Sequence, residues 1–503
     1  MITHLPDITA KRASLSPDAT VLRDLISGKT LTYLELDRRA CRAAGLLLSC
    51  GVSGGDRVAI LCRNRVEFFE LLFACGKIGA ILVPLNWRMP AIELQALIDD
   101  AEPVLLIYGK EDKTTVEGLQ LNQRPIALDH NGNDVYHALC EASDSFAGRG
   151  QWPLEESWYL IYTSGTTGTP KGVLQTYGMA LANYVNIRQA MEIGAHDVTL
   201  SFLPLFHTAG INLVALPTLI EGGEVLLMPD VDVDRIVGLL ADARLDTFFA
   251  VPAVYQQISL HAGFTALDLS KIRSWGCGGA PMPDTLIAEY LKRGASVCNG
   301  MGMTETGPTV FIMDPASVND KIGSVGKPQL LSSVRIVDTE GHDVAPGESG
   351  ELWFSGPGIT PGYWQREDAT AAAFSDDGWL KSGDIGRCDE DGYYYIVGRI
   401  KDMFISGGEN VYPVEIENIL AGHPDILEAA VVAQPDEKWG EVGCAFLLSR
   451  PEHEIPNPDD LTMFCRERLA CYKVPKNFVA VDEFPRTAAG KVQKHLLETQ
   501  RNE

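Results

Sequence analysis

Apolar residues near the start of the chain recur in two rhythms. Between 31 and 50, Tyr33, Leu36, Ala40, Ala44 and Leu47 fall on one helical face. GDRVAIL at 55–61 predicts a turn followed by a strand, and 67–75 returns to helical spacing. GAILVPL at 79–85 is an unbroken apolar run with the length of a buried strand. PVLLIY at 103–108 and WYLIYT at 158–163 predict further strands. Strand and helix alternating in this way signal an α/β layered fold.

The pattern changes twice further on. Across 333–397, the short β-rich runs SVRIVD, GELWFSG and YYYIVGR are separated by DTEG, APGESG and DEDG. These are turn signals, and they predict a small antiparallel unit. After Arg399 the rhythm is mixed: VEIENILAGH is helical, EAAVVAQ and CAFLLS are strands, and PDDLTMFCRERLA is a helix opened by Asp459 or Asp460. At 503 residues the chain exceeds the roughly 250–300 at which one core stops growing. The prediction is a large multi-layer N-terminal α/β domain at 1–397, a hinge at 398–401, and a small mobile α+β C-terminal lid at 402–503.

Composition narrows the classes. A net charge of −25 disfavours nucleic acid and anionic membranes as partners. The longest apolar stretch, Leu71 to Leu85, is interrupted by Lys77 and falls short of the about 20 residues a membrane helix needs. The opening segment has no charged region followed by an apolar core, so no signal peptide is expected. Eleven cysteines form no CxxC pair and no zinc-like cluster, which points to reduced thiols in a cytoplasmic enzyme. A homodimer is left open.

The chemistry-bearing segment is Tyr162-Thr-Ser-Gly-Thr-Thr-Gly-Thr-Pro-Lys-Gly172. An apolar strand runs into a loop dense with Gly, Ser and Thr and closed by a lysine. Glycines let backbone N–H groups approach an anion, hydroxyls add donors and Lys171 adds a point charge, which suits a polyphosphate. The loop departs from the Walker A pattern, because after Gly165 the second glycine would fall at Pro170.

This segment resembles the phosphate loop of the adenylate-forming superfamily, which includes acyl-CoA synthetases, peptide-synthetase adenylation domains and beetle luciferases. The resemblance continues in order along the chain. Gly302-Met-Thr-Glu-Thr306, Ser382-Gly-Asp-Ile385, Gly398-Arg-Ile-Lys-Asp402, Ser406-Gly-Gly-Glu-Asn410 and Pro485-Arg-Thr-Ala-Ala-Gly-Lys-Val492 are each similar to a family motif. It implies an AMP-forming acyl-CoA synthetase using ATP, Mg²⁺ and coenzyme A.

The resemblance also implies roles. Thr163, Ser164, Gly165, Thr166, Thr167, Gly168 and Lys171 would cradle phosphates, with Thr167 and Glu305 at the metal and Thr304 at the α-phosphate. Gly279, Ala280, Pro281, Asn299, Gly300, Met301 and Gly302 would border the adenine, Met301 standing where relatives carry a stacking aromatic residue. Asp384 would hold the ribose hydroxyls, assisted by Arg399. Lys491 is the implied catalytic lysine, Lys401 the hinge, and His207 the group beside the acyl carboxylate. Gly407, Gly408, Trp439, Tyr472 and Lys473 are implied on the coenzyme A side.

The acyl pocket expected from Phe206, Thr208, Ala209, Val251, Cys277, Gly278, Gly279 and Val310 is small-residue or apolar, with no arginine for a second carboxylate. A medium- to long-chain fatty acid is the first expectation and a feruloyl-type aryl acid the alternative. Loading of a carrier protein and a luciferase-like oxygenation are the readings from other classes.

Overall fold

The computed structural model describes residues 2–122, 124–129, 135–163, 170–487 and 491–500. Two largely parallel sheets build the N-terminal part. In the first, Ser157–Thr163, Ile81–Pro84, Arg57–Leu61, Leu105–Tyr108 and Ile126–Ala127 run parallel in that order. Lys171–Thr176 pairs antiparallel at its edge, with Lys171 opposite Thr163. In the second, Val297–Met301, Ser274–Cys277, Thr247–Ala250, Val198–Ser201, Glu224–Leu227 and Thr20–Asp24 run parallel, with Phe311–Ile312 and Thr30–Thr32 antiparallel outside them.

The helices Tyr33–Ser49 and Val66–Ile78 bury their apolar faces in a core that contains side chains from both sheets, among them Val58, Tyr159, Val21 and Val225. Thr32 and Glu35 close the start of the first helix with a reciprocal capping box. Lys77, the charge inside the apolar run, is fully buried and donates to Asp7 at 2.8 Å and Asp37 at 2.7 Å. It pins the N-terminal helix Ile8–Leu15, capped by Asp7, onto the body of the domain.

The predicted β unit is a four-stranded antiparallel sheet: Ser333–Val337, Ser349–Ser355, Leu380–Cys388 and Tyr394–Arg399. A single 3₁₀ turn, Ile400–Asp402, follows it and leads into the lid. There Glu409–Val411, Phe404–Ser406, Gly440–Ser449 and Ile426–Asp436 pair antiparallel, with Asn477–Ala480 added parallel. The helices Pro413–Ala421 and Pro458–Arg466 pack against this sheet. The expected α/β class with a small C-terminal domain is borne out. One cap is corrected: Asn457, not Asp459 or Asp460, opens the second lid helix, because Pro458 takes the first helical position and Asn457 accepts from both aspartate N–H groups.

Candidate active site

The turn Thr304–Thr306 is held from several sides. Gln175 donates to the Thr304 carbonyl at 2.9 Å, and Thr360 N–H donates to the Glu305 carbonyl at 2.8 Å. Tyr363 donates its phenol proton to Glu305 Oε1 at 2.8 Å. Gly302, just before the turn, lies so close to Pro308 that a Cβ would stand 1.6 Å from its carbonyl oxygen. Only glycine fits there. Glu305 is buried, and burial raises its pKa against the Tyr363 hydrogen bond and the charges of Lys491 and Lys171. Among the described residues its carboxylate has no ion-pair partner.

Asp384 and Arg399 face each other across neighbouring strands, and Arg399 Nε donates to Asp384 Oδ1 at 3.0 Å. Burial raises the Asp384 pKa, opposed by Arg399 and Lys491. Lys491 comes from the lid. Burial, followed by repulsion from Arg399, pulls its pKa down to about 8, while Asp384 and Glu305 pull the other way and Lys401 adds repulsion. The ammonium therefore lies in the field of both carboxylates.

His207 follows a strand of the second sheet and precedes a π-helical turn, Gly210–Ala215. Its pKa falls to about 4 through burial, with Arg88 and Lys491 adding repulsion, and its Nε2 is buried without a hydrogen-bond partner. At pH 7 the imidazole is neutral. Phe206 lies 4.6 Å from it and meets Trp87 edge-on at 6.1 Å. A buried chain of hydrogen bonds fixes the neighbouring backbone: Asn212 accepts from Tyr159 at 2.7 Å and donates to Thr208 at 3.0 Å, and Asn183 donates to the Asn212 carbonyl.

Of the phosphate-loop residues, Thr163 and Lys171 are described; Ser164, Gly165, Thr166, Thr167 and Gly168 lie outside the described residues. Met301 is half-buried against Phe311 and its neighbours. Gly279, Ala280 and Pro281 lie at a partly exposed rim, while Asn299 is buried with Gly300 beside it. Two residues expected at the acyl pocket are buried in the core. Phe249 pairs with Gly276 across neighbouring strands, so alternation turns Cys277 to the opposite face, toward Tyr255 and Tyr290. Val310 is packed among Phe311, Val325, Leu352 and Phe354. On the lid, Lys473 is bound to Glu415 at 2.6 Å, and the Trp439 ring covers Gly407, next to Gly408. Gln175, Phe249 and Tyr363 carry no motif signal of their own and were missed by the sequence.

The AMP-binding enzyme model matches residues 9–364, and the AMP-binding enzyme C-terminal domain model matches 415–491. The chain belongs to the AMP-binding enzyme family. It is an AMP-forming acyl-CoA synthetase, an acid–thiol ligase that uses ATP, Mg²⁺ and coenzyme A. The synthetase is 42% identical over 484 residues to a feruloyl-CoA synthase of Amycolatopsis sp, covering 96% of each chain. It is 33% identical to a long-chain-fatty-acid–CoA ligase of Mycobacterium tuberculosis, covering 97% of each. The solved o-succinylbenzoate CoA synthetase of Bacillus subtilis, in complex with its acyl-adenylate intermediate, superimposes with a TM-score of 0.89 at 32% identity, covering 99% of each chain. A single buried carboxylate, Glu305, in the field of Lys491 and Lys171 fits Mg²⁺, which keeps few protein ligands and leans on substrate phosphates. No helix among the described residues is long and apolar enough to cross a membrane.

Proposed function

We propose that the synthetase activates an aryl carboxylic acid of the cinnamate type, the alternative that stands beside a fatty acid. The observation that carries this is the Phe249 ring. A Cβ on Gly276 would meet it at 2.4 Å, and one on Gly278 at 3.2 Å. The space left by these glycines is thus filled by an aromatic ring that is itself almost fully buried, with Met191 behind it. On this reading the ring forms the floor of the acyl site behind these small residues, which favours a short, flat substrate. The higher identity to a feruloyl-CoA synthase supports the same class.

In the proposed first step, a carboxylate oxygen bonds to the α-phosphorus, the bond to the β-phosphate oxygen breaks, and pyrophosphate leaves. The acid is already ionised at pH 7, so no base is required. His207, neutral and with an unpartnered Nε2, orients the carboxylate by hydrogen bonding. Lys491 offsets the charge that spreads over the phosphate oxygens, with Thr304 beside it. Asp384 and Arg399 hold the ribose. Glu305 would hold Mg²⁺, which when bound would supply further neutralisation of the polyphosphate. In the second step the thiol of coenzyme A gives up its proton to solvent, its sulfur bonds to the acyl carbon, the bond from that carbon to the phosphate oxygen breaks, and AMP leaves. The lid then presents Gly407, Gly408 and Trp439 to the pantetheine arm and Lys473 to the nucleotide end of coenzyme A, so Lys473 must exchange Glu415 for a new anion. Lys401 is the pivot. A cytoplasmic location is supported by the eleven free thiols.

The test is AMP release from a panel of acids, with and without coenzyme A. Cinnamate-type acids should exceed fatty acids of ten or more carbons in the parent. Phe249→Ala should improve the longest acids relative to cinnamates. Phe249 is the residue to vary because Gly279 has φ 87° and any side chain there is strained. A parent that prefers long fatty acids would overturn the proposal.

A further inference from the structure

Lys171 and Glu305 are opposite charges with a common target, the polyphosphate and its cation, and they feel each other electrostatically. Left to themselves, a lysine and a buried carboxylate close into an ion pair, which consumes both. Among the described residues neither has an ion-pair partner. What stands beside both is Tyr363. Its hydroxyl donates to Glu305 Oε1 at 2.8 Å, and the Lys171 ammonium sits 5.2 Å from the centre of its ring. A cation over an aromatic face is held without being neutralised.

The backbone explains how the ring gets there. Tyr363 bridges Val173 antiparallel, and Trp364 N–H donates to the Gly172 carbonyl at 2.7 Å. The segment around Tyr363 therefore lines up along the strand Lys171–Thr176 that leaves the phosphate loop. Thr360 and Trp364 anchor it on either side: Thr360 Oγ1 donates to the Leu174 carbonyl at 2.7 Å, and Trp364 Nε1 donates to the Asp100 carbonyl at 3.2 Å. The ring is thus fixed by a clamp that touches both halves of the nucleotide site.

We infer that Tyr363 is a positioning residue that keeps Lys171 and Glu305 apart and presents each, unpaired, to the Mg²⁺-bound polyphosphate. The phenol orients the Glu305 carboxylate without neutralising it, as hydrogen-bonded partners of metal-binding carboxylates do. The inference rests on Glu305 being the metal-directed carboxylate.

Calorimetric titration of ATP at a series of free Mg²⁺ concentrations, and with the metal chelated, tests it on the full chain. Tyr363→Phe keeps the ring and loses the hydroxyl. It should bind metal-free ATP like the parent, while the Mg²⁺ concentration giving half-maximal tightening rises about tenfold. Tyr363→Leu also removes the barrier, so Lys171 and Glu305 pair and metal-free ATP binding weakens as well. A Tyr363→Phe variant with the parent's Mg²⁺ midpoint, or one equally weakened with and without metal, overturns the inference. Glu305→Gln runs in parallel: a normal Mg²⁺ midpoint there removes Glu305 from the metal site, and the role of Tyr363 with it.

Discussion

Lys491 offers the sharpest prediction, because the structure places its titration inside the working pH range. An ordinary lysine titrates near 10.4 and would be charged throughout a pH 7–9 assay. Here burial, with repulsion from Arg399, lowers the pKa to about 8. The ammonium form is the one that neutralises phosphate charge. It makes up about 90% of the free enzyme at pH 7 and about 10% at pH 9, given a pKa of about 8. The sign is fixed: adenylation kcat/KM should hold below pH 8 and fall about tenfold per unit above it. Bound ATP adds negative charge beside the ammonium, so the limb in kcat should lie at higher pH than the limb in kcat/KM. Pyrophosphate release, measured without coenzyme A, reads this half-reaction alone. Lys491→Arg should abolish the alkaline limb, since a guanidinium stays charged, at the cost of a slower rate from altered geometry. Lys491→Ala should slow adenylation by about two to four orders of magnitude, while thioester formation from supplied acyl-AMP survives. A kcat/KM flat from pH 7 to 9.5, or a limb unchanged in Lys491→Arg, would refute the assignment.

Two other predictions concern the frame around the site. Lys401 lies exposed in the turn Ile400–Asp402, so Lys401→Pro should fix φ there without removing a ligand contact. Pyrophosphate release should persist and thioester formation collapse; equal rates in both half-reactions would remove Lys401 as the pivot. Lys77→Ala leaves Asp7 and Asp37 without their buried partner and should cost about 3–5 kcal/mol in urea unfolding, with activity per folded molecule retained. A loss below about 1 kcal/mol, the ordinary worth of an exposed pair, would mean the network is solvated.

The division between what the sequence revealed and what it hid follows the range of the interactions. Asp384, Glu305 and Lys491 sit in short motifs whose turn residues come with them, so chemistry and local backbone are written together. Strands such as 79–85 were readable because burial on both faces leaves an unbroken apolar run. The cap at Asn457 was displaced by two or three residues because Pro458 competes for the helix start, a preference that the aspartates beyond it mask. Phe249 and Tyr363 were invisible for another reason. Phe249 meets Gly276 only through the register of two parallel strands separated by a helix, and Tyr363 reaches Glu305 only because its segment lies along a strand nearly two hundred residues earlier. Neither residue looks chemical in a linear reading. On the proposals made above, one sets how deep the acyl site runs, and the other keeps two opposite charges apart. Motifs in this chain therefore name the reacting partners, while the residues that set substrate shape and hold charges ready are supplied by sheet register. Variation at Phe249 should accordingly change which acid is chosen without touching adenylation itself, whereas variation at Tyr363 should change the handling of Mg·ATP whatever the acid.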